Sequence, residues 1–340
     1  MSANFVSTYN LLNGPRLYAR NAQAEIARLG KEIVTERHAD VGLVLGAKTG
    51  HAAILHQEAG RIGTLMISNG VAAGRLDVTQ AVITELRETA DSMLSTLTGL
   101  PTNSLGSATI EGEAGRNLAA LIDKLNSSFA GARLFGGIKT DTAPMKNGAD
   151  AVAVAFDGYV TGLGAPVSGV TAAQFETFLS SAAFSGLFTA AGWETNWSAA
   201  SDTNISTRIS ATETIETSVN ANARAFQQLT QAYAVLGALP SSGLNESAFK
   251  TAVSHAIAQL GEAVNGLTIM QADLGGAQTR IKTVNERLKT QETLVTENLR
   301  SLEGVDATEA KVASDAFELQ LNLSYALTAR LQNLSLLKYL

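Results

Sequence analysis

The sequence of 340 residues contains no cysteine. That excludes disulfides, Cys-ligated zinc, iron–sulfur clusters and thiol nucleophiles together. Charge is scarce too: Asp, Glu, Lys and Arg make up 16% of the chain, against about 25% in an average soluble protein. The deficit is filled by Ala, Ser, Thr, Asn and Gln rather than by apolar residues. Such a surface suits a protein whose faces are covered by copies of itself, because each buried Lys or Glu would need a partner. It also fits a merely Ala-rich soluble protein. The net charge is -6 and no cluster of Lys or Arg occurs, so nucleic acid is not expected as a partner. No window approaches about 18 consecutive apolar residues. The start, Met1-Ser2-Ala3-Asn4-Phe5, lacks a basic stretch leading into an apolar one. Neither a membrane span nor a cleaved secretory signal is therefore expected.

What is present is periodicity. From Ile62 to Leu100 there is no proline, and counting by sevens gives Ile62, Asn69, Leu76, Ile83, Ala90 and Leu97. Three residues beyond each stand Leu65, Ala72, Thr79, Leu86, Met93 and Leu100. An apolar repeat of seven keeps one stripe of a helix against a partner along its whole length, and Pro101 stops the run. Asn69 in this seam reads as a polar register-setter or as the frayed end of the stripe. A second heptad run, Leu274, Ile281, Leu288, Val295 and Leu302, carries its charges on the opposite face. Gly304 falls where that helix should end. Asp306 can cap the next one, with Glu309 three residues on.

The last helix, from about Ala307 to the end, bears two apolar strips. One is Val312, Ala316, Leu319, Leu323, Leu327, Leu331 and Leu334; the other is Phe317, Leu321 and Tyr325. Two strips need two partners. An N-terminal helix with Ala19, Ala22, Ile26, Leu29 and Ile33 at the same spacing supplies one. The other strip would then be an exposed apolar face, which marks an interaction surface, unless both pack inside one helical bundle. The candidate assembly residues are accordingly Ile26, Leu29, Ile33, Leu319, Leu323, Leu327, Leu331 and Leu334.

Between the helical ends, from Arg133 to about Thr217, glycines and Pro144 and Pro166 accumulate. Alternation predicts strands at Ala151 to Phe156 and Ile205 to Ile209. Thr171 to Phe188 predicts one or two short helices, and helix resumes over Glu213 to Leu239 and Glu246 to Leu267. The fold class is therefore mainly α: a long antiparallel helical coiled coil or bundle formed by the N- and C-terminal segments, with a small mixed α/β insert. The domains read as a polymerisation segment, 1–37 with 307–340; a helical rod, 38–132 with 211–306; and a variable insert, 133–210.

Few residues suggest chemistry. Of His38, His51, His56 and His255, the pair His51 and His56 shares no i,i+4 helical face and has no acid between, so no metal site is expected. Gly162-Leu163-Gly164 precedes Pro166 and reads as a turn, not a nucleotide fingerprint. Asp141, Asp150 and Asp157 could line a cation site but read better as solvated loop acids. Trp193 and Trp197 could bind a sugar but fit a small core better. No catalytic residue and no cofactor is expected.

The arrangement of terminal helices around a central module resembles the bacterial flagellin family. Ala39-Asp40-Val41-Gly42 and Ser68-Asn69-Gly70-Val71 resemble that family's N-terminal loop and following helix. The stretch Leu134-Phe135-Gly136-Gly137-Ile138-Lys139-Thr140-Asp141-Thr142-Ala143-Pro144 and the ending Leu334-Ser335-Leu336-Leu337-Lys338-Tyr339-Leu340 resemble its branch at the junction of hook and filament. The resemblance implies a non-enzymatic structural subunit, exported by the flagellar type III route without a cleaved signal and placed outside the cell on the flagellum. Its implied partners are itself, the neighbouring junction protein, flagellin and an export chaperone. The terminal segments are implied to order on assembly, which agrees with a lone helix needing neighbours to bury two dry faces. Filament flagellin is the nearest alternative; a secreted enzyme or glycan-binding module on a helical stalk is the alternative of another class.

Overall fold

Two helices far longer than the usual three turns dominate the chain: α3, Thr49–Gly99, and α10, Glu246–Glu303. The computed structural model describes residues 8–99, 104–240 and 243–336. Before α3 come α1, Thr8–Thr35, and the short α2, Val41–Leu45. After it come α4, Ser104–Leu125, and a two-residue hairpin of β1, Ser128–Phe129, and β2, Ala132–Arg133. The middle holds α5, Ala149–Leu163, α6, Ala172–Ser180, α7, Ala182–Ser185, and α8, Ala190–Asn196. A second hairpin, β3, Ser206–Arg208, and β4, Thr214–Glu216, leads into α9, Arg224–Gly237. The last helix is α11, Ala307–Leu336. The fold is mainly α, with long helices packed against one another and, among the described residues, two small antiparallel sheets.

The chain divides into two compact units. One is drawn from both ends, up to Thr64 and from Leu288 on; the other is Leu65–Arg287. In the second unit, α3 and α10 run antiparallel. Asn69 donates to the Asn285 side-chain oxygen at 2.7 Å, and Gln80 donates to the Gln271 carbonyl at 2.8 Å. The heptad stripe supplies the apolar contact: Leu76, Ile83, Leu86, Ala90, Met93 and Leu97 are buried, as are Leu274 and Ile281. Asn69 is buried within the stripe and also donates to the Ile209 carbonyl at 3.0 Å. It therefore joins α3, α10 and the β3–β4 hairpin at one point, as a register-setter does. Leu100 and Pro101 lie outside the described residues.

The middle of the second unit is an aromatic core. Phe156, Phe175, Phe178 and Phe184 are fully buried, with the Phe178 ring 5.1 Å from those of Phe156 and Phe184. Trp193 and Trp197 are buried and stacked at 6.0 Å. The Thr171 hydroxyl and the Gln174 side chain form a reciprocal cap that starts α6. Through this unit threads the segment Leu134 to Pro144. Leu134 and Phe135 are buried, Ala221 N donates to the Phe135 carbonyl at 2.8 Å, and Ala199 N donates to the Pro144 carbonyl at 2.9 Å. Gly137 has φ +62, and a Cβ there would lie 2.6 Å from the carbonyl oxygens of Ser201 and Thr203. Only glycine satisfies both constraints.

Three sequence-based expectations need correction. Ala151 to Phe156 is not a strand but part of α5. Its Ala-Val-Ala-Val alternation satisfies a period of two, yet the buried residues are Val152, Phe156 and Val160, one helical face. Glu213 to Ala223 is not helical. Thr214, Ile215 and Glu216 pair with Arg208, Thr207 and Ser206, and the Thr207 and Thr217 hydroxyls meet at 2.8 Å. Here a partner strand outweighs propensity. Glu246 to Leu267 does not end there but continues unbroken as α10. Gly164, with φ +64, ends α5 as a left-handed cap, which is the turn that its sequence suggests.

Candidate assembly surface

Asp306 starts α11: its carboxylate accepts from Thr308 N at 2.8 Å and Glu309 N at 3.4 Å. These two bonds hold the carboxyl below its ordinary pKa. From that cap the helix runs antiparallel to α1 and packs along it. Ser324 donates to the Pro15 carbonyl at 3.0 Å, and Gln23 donates to the Tyr325 hydroxyl at 2.9 Å.

The side of α11 nearest α1 carries Ala310 and Ser314, both buried, then the half-buried Phe317, Leu321, Ser324 and Thr328. Steps of three and four keep these on one face. The other strip is uncovered. Val312 is 66% exposed, Leu319 61%, Leu323 56% and Leu327 56%. Four aliphatic side chains on one helix are thus left in water, a contiguous feature rather than scattered surface residues. Between α1 and α11 lies a groove of 630 Å³ lined by Pro15, Tyr18, Ala22, Phe317, Leu323 and Leu327 among others.

On α1 the candidate residues occupy the covered side. Leu29 is buried, while Ile26 and Ile33 are half-buried, so much of their apolar surface is already used within the chain. Leu319, Leu323 and Leu327 are not used in that way. Leu331 and Leu334 fall within α11, but their side chains lie outside the described residues, as does the ending 337–340.

Among the described residues, no three His, Asp or Glu side chains converge as metal ligands do. Trp193 gives its indole N–H to Asn222 at 3.1 Å and, like Trp197, faces the interior, the arrangement of a core pair. No described helix is long and apolar enough to cross a membrane. What sequence reasoning missed is Glu303, a buried carboxylate that meets Arg37 and His56. Its partners are 266 and 247 residues away, and no local pattern marks such a pairing.

Comparison with known proteins returns both ends of the chain. Residues 6–140 match the family model for the bacterial flagellin N-terminal helical region, and residues 257–340 match that for the bacterial flagellin C-terminal helical region. A solved structure described as a flagellar hook-associated protein from Vibrio parahaemolyticus is similar at 12% identity and a TM-score of 0.44, covering 76% of this chain and 95% of that one. At that score it adds no argument. No curated protein matches the sequence.

Proposed function

Since the chain belongs to the bacterial flagellin family, and is thereby a structural subunit of the bacterial flagellum, we propose that it is the hook–filament junction subunit, which joins hook to filament by helical self-assembly. In this reading 1–37 with 307–340 polymerise, 38–132 with 211–306 form the rod, and 133–210 are the insert. The subunit leaves the cell by the flagellar type III route and performs no catalysis. Its neighbours are further copies, the adjoining junction protein and flagellin, and an export chaperone holds it before export.

The observation that carries the assembly role is the uncovered strip of Val312, Leu319, Leu323 and Leu327 on a helix that already packs against α1 through other residues. Burying one such leucine fully is worth about 1.5–3 kcal/mol, so covering four provides a substantial drive for association. Ile26, Leu29, Ile33, Leu331 and Leu334 complete the proposed assembly set. The choice of junction over filament is supported by the Leu134 to Pro144 motif and by the Leu334 to Leu340 ending.

Seeded polymerisation separates the two. A junction subunit added to purified hook ends forms a short terminal layer and stops, whereas a filament flagellin elongates. Growth of micrometre filaments from this protein alone would refute the junction assignment.

A further inference from the structure

Glu303 is the last residue of α10, and its carboxylate is almost fully buried. It accepts from Arg37 Nη2, and His56 Nε2 stands 3.0 Å and 3.2 Å from its two oxygens. Arg37 Nη2 and His56 Nε2 are themselves 3.1 Å apart. One nitrogen cannot both accept from the arginine and donate to the carboxylate. With the hydrogen on Nε2, the imidazole and guanidinium are two donors side by side on one acceptor, which satisfies the buried charge.

The backbone is tied at the same place. His38 N donates to the Glu303 carbonyl at 2.9 Å, and Val305 N donates to the Glu36 carbonyl at 3.0 Å. Arg37 and Gly304 form an antiparallel bridge between these bonds. Glu36 holds φ +53, a conformation that is uncommon for a residue with a side chain and persists where surroundings fix it. Arg300 lies 3.5 Å from Glu36. Thus the end of α1 and the start of α11, far apart in sequence, are fastened together just past the last turn of α1 and just before the first turn of α11.

We propose that this clasp is the point of registration from which α1 and α11 pair, with Glu303 as its centre. The inference rests on the assembly reading, since that reading makes the pairing a step taken when neighbours arrive. Forming a helix pair from two distant segments is opposed by loop closure and by the unfavourable first turn. A clasp already closed removes the loop-closure part and fixes which turn of α1 meets which turn of α11. Pairing then proceeds outward from residues 35 and 307, one turn at a time, as in a hairpin.

The test is amide hydrogen exchange at His38 and Val305 in the free, full-length subunit, read beside assembly kinetics on hook ends. These two amides are expected to exchange at least about tenfold more slowly than in an unstructured peptide. Glu303→Gln keeps the side chain's shape and removes its charge; it should speed both amides about tenfold and lengthen the lag before assembly, leaving the melting of 65–287 unchanged. Should that variant fail to fold, His56→Leu removes one half-exposed donor and should give a smaller acceleration, about threefold. Unprotected amides in the wild-type free subunit, or exchange and lag untouched by either substitution, would overturn the clasp. Failure of the assembly reading looks different: Leu323→Asp protein would then assemble normally whatever the state of Glu303.

Discussion

The aromatic middle of the chain and its last helix use apolar residues in opposite ways. In the middle, Phe156, Phe175, Phe178 and Phe184 each find a ring within 6.0 Å and none reaches water. On α11, Leu319, Leu323 and Leu327 are more than half exposed although their helix is well formed and capped. One region closes its core inside a single chain. The other is finished on one side only. Hydrophobicity alone therefore does not say where a residue ends up; the number of dry faces relative to the partners available in the chain does.

The comparison is broken most forcefully in the closed region. Phe178→Ala should destabilise the free subunit by about 3–5 kcal/mol, the range for emptying a packed aromatic site, measured by urea unfolding. A stability loss near zero would mean that the aromatic cluster is not a core. Next comes Gly237→Ala. A Cβ at Gly237 would lie 2.7 Å from the Ala114 carbonyl carbon, so α4 and α9 must part, at a cost of about 1–3 kcal/mol in the same assay.

A smaller effect concerns His255, half-buried in the same unit with its ring edge toward Phe184 at 6.4 Å. Burial lowers its pKa from the ordinary 6.5. The unfolded chain therefore binds the proton more readily than the folded one. Stability is intact above about pH 6.5 and declines as the pH falls from there toward the lowered folded value. Unfolding at about pH 7.5 and about pH 5.5 should show that decline, and His255→Gln should flatten it. An unaltered slope in the variant would remove His255 from the account. Smallest of all is the effect of Leu323→Asp on the free subunit, within about 0.5 kcal/mol because the side chain is exposed. A drop of several kcal/mol would place Leu323 in a core and erase the contrast between the regions.

How much of this was legible in the sequence follows the range of the interaction. The seam from Ile62 to Leu97 could be read because a repeat of seven states the partner-facing stripe many times over. Asp306 could be read because a cap spans only three residues. The Ala151 to Phe156 segment could not, because Ala and Val in alternation serve a strand or a helix equally, and the choice is made by what Phe156 packs against. Glu213 to Ala223 went astray because β4 exists only through its partner β3. On α11 the two strips were visible, and their different fates trace to α1: it offers one stripe, with Leu29 at its centre, and so covers one strip. Glu303 was silent, since a lone glutamate at a helix end looks like any solvated acid until Arg37 and His56 arrive from far along the chain.

The absence of cysteine gives the most direct test of whether the Leu319, Leu323 and Leu327 strip is left for sister molecules. With Leu323→Cys as the chain's one thiol, maleimide labelling can be timed in the free subunit and again after assembly on hook ends. The account predicts rapid labelling of the free subunit and strong protection once assembled. Equal labelling in both states would show that no neighbour covers the strip, and would contradict it.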